Sequence, residues 1–148
     1  MNRREFVKQG CIICVGGGIL PVMLSGCQTT HYVNGTFEST GIAVLKFEFT
    51  YIQKENILFR QFIIIQNDKL EFPIYVYRFS ENEYSAIWMK CSHQGAELQA
   101  SGDHLQCPSH GSEFNNKGIV SNGPAERNLR SFPVSSVDDK IIIDMRQS

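Results

Sequence analysis

The chain has 148 residues, enough for one domain with a short appendage, and its 42% hydrophobic and 11% aromatic content excludes a disordered polymer. The formal net charge is −1, so there is no basic footprint for nucleic acid. Without the first 26 residues, which hold Arg3, Arg4, Lys8 and Glu5, 11 basic and 14 acidic residues remain, a mild net charge of −3.

Residues 1–27 read as an export signal rather than as part of a fold. Arg3, Arg4 and Lys8 make a positive start, and Ile12 to Leu24 is a mostly apolar run of 13 residues, too short to span a bilayer comfortably. Arg3-Arg4 followed by Phe6 and Lys8 resembles a twin-arginine signal, a route that carries folded proteins. Leu24-Ser25-Gly26-Cys27 resembles a bacterial lipobox, in which Cys27 becomes the lipidated first residue of the mature chain. An uncleaved N-terminal anchor is the rival reading, but the apolar run stops at Cys27 and polar residues follow at once. Cys11 and Cys14, inside the signal core, read as incidental. Residues 28–35 read as a polar tether, and eight residues reach at most about 29 Å. An anchored domain would therefore stay close to the bilayer, exported and facing the periplasm or the cell exterior.

Residues 36–90 are patterned as strands. Ala43, Leu45, Phe47 and Phe49 alternate with Val44, Lys46, Glu48 and Thr50, the period of a half-buried strand. Ile57 to Gln66 is rich in Ile and Phe, Ile74 to Phe79 alternates again, and Tyr84 to Met89 runs straight into Cys91. Turn residues separate them at 53–56, 67–69 and 80–83. Residues 126–146 return to strands, with a turn at Asp138-Asp139. No stretch keeps a 3.6-residue period beyond two turns. The predicted class is all-β, two antiparallel sheets face to face or a small open barrel, with an insertion at about 90–125.

That insertion carries the chemistry. Cys91-Ser92-His93-Gln94-Gly95 and Cys107-Pro108-Ser109-His110-Gly111-Ser112 form two half-sites, C-x-H and C-x2-H-G-S, each with one thiolate donor and one imidazole. Two cysteines in an exported domain would ordinarily suggest a disulfide. Here each lies at a short fixed spacing from a histidine, which favours a metal. Two Cys and two His also suit zinc, but finger spacings pair Cys with Cys and His with His. Two mixed pairs suit a 2Fe–2S cluster with two Cys on one iron and two His on the other. Fewer thiolates make the cluster less negative, placing its potential at roughly −150 to +300 mV. His104 reads as a surface residue and Trp88 as core.

The two boxes, with Gly123-Pro124-Ala125 downstream, resemble the Rieske iron–sulfur family over residues 36–148. The resemblance implies one [2Fe–2S] cluster held by Cys91, His93, Cys107 and His110, with Ser112 hydrogen-bonding a cluster sulfur. It implies that Gly123-Pro124-Ala125 covers the cluster from a third side. Members in quinol-oxidising complexes carry an extra Cys in each loop, joined as a disulfide, and a Tyr on a cluster sulfur. Ala96, Ser109 and Phe114 stand at those positions, so an unstapled, intermediate-potential member is expected. Gln94 makes the cap more polar than in the quinol-oxidising group. The function expected is a membrane-tethered one-electron carrier serving a redox protein or membrane redox complex. The alternative is the Rieske subunit of a quinol-oxidising cytochrome complex or of an exported oxidoreductase. A complete Rieske oxygenase is not expected, because it needs a second iron on two His and a carboxylate, and only His31 and His104 remain.

Overall fold

The computed structural model describes residues 30–146; the expected signal, its lipobox at Cys27 and the first two tether residues lie outside them. The described strands are β1 (Tyr32–Val33), β2 (Thr36–Glu38), β3 (Gly41–Leu45), β4 (Thr50–Gln53), β5 (Asn56–Phe59), β6 (Phe62–Ile65), β7 (Ile74–Arg78), β8 (Tyr84–Trp88), β9 (Gln99–Ser101), β10 (His104–Gln106), β11 (Glu113–Asn115), β12 (Val120–Asn122), β13 (Ser131–Phe132), β14 (Val134–Val137) and β15 (Lys140–Asp144). The all-β class is what the short alternating runs required, and every pairing but one is antiparallel.

The sheet β1-β6-β7-β8-β13 is the middle layer of three. Its residues alternate between two cores. Phe62, Ile64, Tyr75, Tyr77 and Ile87 face a cluster that includes Cys91, Leu105, Cys107 and Phe114. Ile63, Ile65, Ile74, Val76 and Ala86 face Ile42, Val44, Ile141 and Ile143 of the sheet β14-β15-β3-β2. Because both faces are covered, β6 reads Phe-Ile-Ile-Ile without polar alternation, and all four residues are buried. The sheet β12-β11-β10-β9 forms the third layer and holds the two Cys–His boxes at its margins.

Three elements differ from the sequence reading. The alternation over 43–50 is not one strand: β3 ends at Leu45 and a 3-10 turn covers Lys46–Phe49. The ladder ends there, since Leu45 pairs with Lys140, the first residue of β15. Ile57 to Gln66 divides into β5 and β6 at Arg60-Gln61. The Arg60 N–H donates to the Phe49 carbonyl at 2.6 Å and its guanidinium to the Thr50 carbonyl at 2.6 Å, turning the chain. Residues 30–35, expected in a tether, instead belong to the fold. Strand β1 pairs in parallel with β6, the His31 carbonyl accepting from Ile64 N–H at 2.9 Å and the Val33 carbonyl from Gln66 N–H at 3.0 Å. Without it, the edge of β6 would leave its amide groups unpaired.

Candidate metal centre

The two boxes fold into matching knuckles although their spacings differ. In the first, Cys91 N–H donates to the Ala96 carbonyl at 2.8 Å and Gly95 N–H to the Cys91 carbonyl at 2.9 Å. In the second, Cys107 N–H donates to the Ser112 carbonyl at 2.8 Å and Gly111 N–H to the Cys107 carbonyl at 3.0 Å. Each knuckle closes through a left-handed glycine, Gly95 at φ 76° and Gly111 at φ 79°. A Cβ on Gly111 would meet nothing within 4 Å, so the requirement there is backbone conformation rather than space.

This geometry sorts the four donors into two pairs. Cys91 and Cys107 are buried, free of any disulfide, and lie side by side within hydrogen-bonding reach. His93 and His110 are exposed, with ring centroids 5.2 Å apart and planes at 87°. The remaining described histidines lie elsewhere: His31 pairs with Glu48 at 2.9 Å and His104 with Asp103 at 3.4 Å.

The sulfurs differ in proton affinity. Burial pushes the Cys91 thiol up, against the N–H groups of His93 and Gln94 that point at its sulfur. Burial acts on Cys107 in the same direction, but hydrogen bonds from Cys91, from the N–H groups of Ser109 and His110 and from the Ser109 hydroxyl outweigh it and bring its thiol below the usual range. Backbone donors aimed at sulfur stabilise a thiolate and whatever negative charge accompanies a metal bound to it.

Ser112 is the single fully buried polar residue among the described ones, and its Oγ accepts the Ala125 N–H at 3.0 Å. Accepting there leaves its proton free for a third party. The same bond docks the Gly123-Pro124-Ala125 segment onto the second knuckle. A second latch closes on the first knuckle, where Ser92 Oγ donates to the Arg127 carbonyl at 2.5 Å. Sequence reasoning missed this latch, since nothing local relates residues 35 apart. It also read Ser109 only as a missing cysteine, whereas its hydroxyl lies against the Cys107 sulfur. Phe114 is fully buried in the same core as both cysteines. Trp88, expected in the core, is half-buried and carries Lys90 and Arg130 over its ring at 4.9 and 5.5 Å. With Arg127 these cations line a groove of ≈ 550 Å³ beside His93.

The donor chemistry fits an iron–sulfur cluster. Two adjacent buried sulfurs suit a soft metal, two exposed imidazoles suit a second metal at the rim, and amide groups converge on the sulfurs. Among the described residues no three His, Cys, Asp or Glu side chains converge on a single-ion position. Fold and donor set together define a small β-protein of the mixed Cys/His iron–sulfur type. The family profile of the Rieske [2Fe-2S] domain matches residues 52–133, and the chain belongs to that family. Its cofactor is a Rieske-type [2Fe–2S] cluster and its role is electron transfer.

Among curated relatives, the chain is 38% identical over 84 residues to the oxygenase component of dicamba O-demethylase from Stenotrophomonas maltophilia, covering 50% of this chain and 25% of that protein. It is 36% identical over 55 residues to the cytochrome b6-f complex iron-sulfur subunit of Desmonostoc sp., covering 36% of this chain and 31% of that one. The chain thus spans about a third or less of the curated relatives it matches. Among solved structures, the cyanobacterial plasma membrane Rieske protein of Synechocystis aligns with a TM-score of 0.49 and 25% identity, over 57% of this chain and 86% of that one.

Proposed function

We propose that this protein is a lipid-anchored one-electron carrier working outside the cytoplasm, with Cys91 and Cys107 on the inner iron of its cluster and His93 and His110 on the outer one. The observation that supports it best is the layering of the donors: a buried cysteine pair beneath an exposed, edge-to-face histidine pair. When bound, the cluster supplies a one-electron couple. The chain's own residues govern how that couple is used. The core around Cys91 and Cys107 excludes water from the sulfurs. His93 and His110 hold their ring N–H protons at the surface, where a partner can touch them. Ser112, with its oxygen occupied by Ala125 N–H, is placed to donate to a cluster sulfur, while the Phe114 ring can donate nothing. This combination supports a potential between those of ferredoxin-like and quinol-oxidising members.

Lipid attachment at Cys27 would keep the domain at a membrane, where several acyl chains give stable anchoring at about 0.8 kcal/mol per buried methylene. The partner would be a redox protein or a membrane redox complex. Relatedness to a cytochrome b6-f subunit favours one alternative, a subunit of a quinol-oxidising complex. Ala96, Ser109 and Phe114 weigh against it. Redox-titrated EPR of the purified chain tests the main reading. A rhombic, histidine-ligated cluster signal titrating as one electron is expected. A colourless protein carrying one zinc would refute it, and cytochromes co-isolating with the chain would favour the subunit.

A further inference from the structure

The hairpin β4–β5 exposes an apolar face that neither core uses. Ile52 and Ile57 sit opposite each other across it and are 77% and 66% exposed. Phe59 shares that face at 55%, and Phe47, in the turn leading into the hairpin, is 62% exposed. Contiguous apolar surface of this kind marks a contact with something other than water. Cations surround it: Lys46 precedes Phe47, Lys54 occupies the hairpin turn, and Arg78 lies over the Phe59 ring at 4.5 Å. Of the nearby carboxylates, Glu48 is engaged by His31 at 2.9 Å, Glu55 lies in the hairpin turn, and Asp139, whose carbonyl accepts the Lys46 N–H at 2.7 Å, lies beside Lys46 together with the cation Lys140.

The position of this face in the fold indicates its occupant. The hairpin joins the middle sheet at Phe62, opposite Tyr77, the end at which Arg78 pairs with Tyr84. The Cys–His knuckles leave from the other end, beyond Trp88, which pairs with Ile74. The described chain enters at the hairpin end: His31 contacts Glu48 in the Phe47 turn, and β1 then runs parallel to β6 toward the knuckles. Cys27 is three residues before Thr30, and three residues span at most about 11 Å.

We infer that Phe47, Ile52, Ile57 and Phe59 are seated in the headgroup–acyl boundary of an anionic bilayer, with the iron knuckles held at the far end. The inference rests on the proposed lipid at Cys27, which would place the membrane within reach of that turn. Apolar side chains partition into the boundary, and Lys46, Lys54 and Arg78 meet anionic headgroups. The anchor then retains the domain and the hairpin orients it, so that His93 and His110 face partners arriving from the aqueous side.

The test uses the full chain in phosphatidylglycerol-containing vesicles, with and without brominated acyl chains. Trp88 is the chain's single tryptophan. It reports on the knuckle end, and Ile57→Trp adds a second indole at the exposed hairpin. Brominated lipid should lower the added Ile57→Trp emission roughly two-fold while leaving that of Trp88 unchanged, as expected for a side chain in the boundary. Phe47→Trp gives the same reading should Ile57→Trp disturb the hairpin. Vesicle-bound protein whose added indole is unquenched, or is covered instead by a co-purifying protein, overturns the seating while leaving the anchor intact. Wild-type chain that lacks lipid on Cys27 by mass spectrometry and fails to float with vesicles overturns the anchor and this inference with it.

Discussion

Phe114 lies fully buried on β11 in the core that includes Cys91 and Cys107, so a hydroxyl added to its ring would be held in that core rather than in water. Phe114→Tyr should therefore raise the reduction potential by tens of millivolts, roughly the scale on which hydrogen bonds to sulfur tune such clusters. Redox-titrated EPR reads this directly, and an unchanged or lowered value would contradict it. Ser112→Ala should act in the opposite direction and also weaken the fold. It removes the acceptor of the Ala125 N–H, and a buried donor left unsatisfied costs about 1–3 kcal/mol. A urea midpoint and a redox titration on the same variant separate the two effects. At this scale the two Cys–His boxes were legible as motifs, and the fold sets Cys91 beside Cys107 and His93 beside His110. The Ser92–Arg127 latch was not legible, because it depends on which loops meet in space, and the Ser109 hydroxyl on Cys107 depends on how the second knuckle turns within its own loop.

The knuckles and the outer sheet respond differently to one added methyl group. Gly111→Ala meets open space, so its cost is the left-handed backbone alone, about 1–2 kcal/mol. Gly41→Ala drives a Cβ into the Ile143 backbone carbonyl on β15, where no side chain can give way. It should cost several kcal/mol, about the upper range for single substitutions, or prevent folding. Denaturant unfolding of the two variants should rank Gly41→Ala far below Gly111→Ala. Strands β7 and β8 were readable because alternation and turn residues bound them on both sides. The end of β3 was not, since Phe47 and Phe49 continue its alternation beyond Lys140, the first residue of β15 and the last partner of the ladder. The docking of β1 was equally hidden, for Thr30 to Gly35 has a tether's composition and gains its order from the open edge of β6.

At the scale of the whole described fold, the middle sheet separates two cores, and only one of them contains Cys91 and Cys107, the proposed cluster ligands. Removing iron with a chelator under reducing conditions should therefore loosen residues 91–125 first. Amide exchange should accelerate by an order of magnitude or more in β9–β12, while β3 and β15, packed in the other core, keep their protection. Uniform loss of protection would show that the layers unfold as one unit.

The sequence by itself determined the chemistry of this protein, because a mixed Cys/His pair repeated at short spacing leaves few cofactors that fit, and it determined the all-β class, because period-2 alternation depends only on neighbours along the chain. Tertiary structure alone decided the layering of the donors, with sulfurs buried and imidazoles exposed, and the latch between Ser92 and Arg127. It also decided that the apolar hairpin lies at the end opposite the knuckles, with His31, among the first described residues, against Glu48 in the turn that leads into it. Those properties arise from contacts between residues tens of positions apart, which no local pattern encodes.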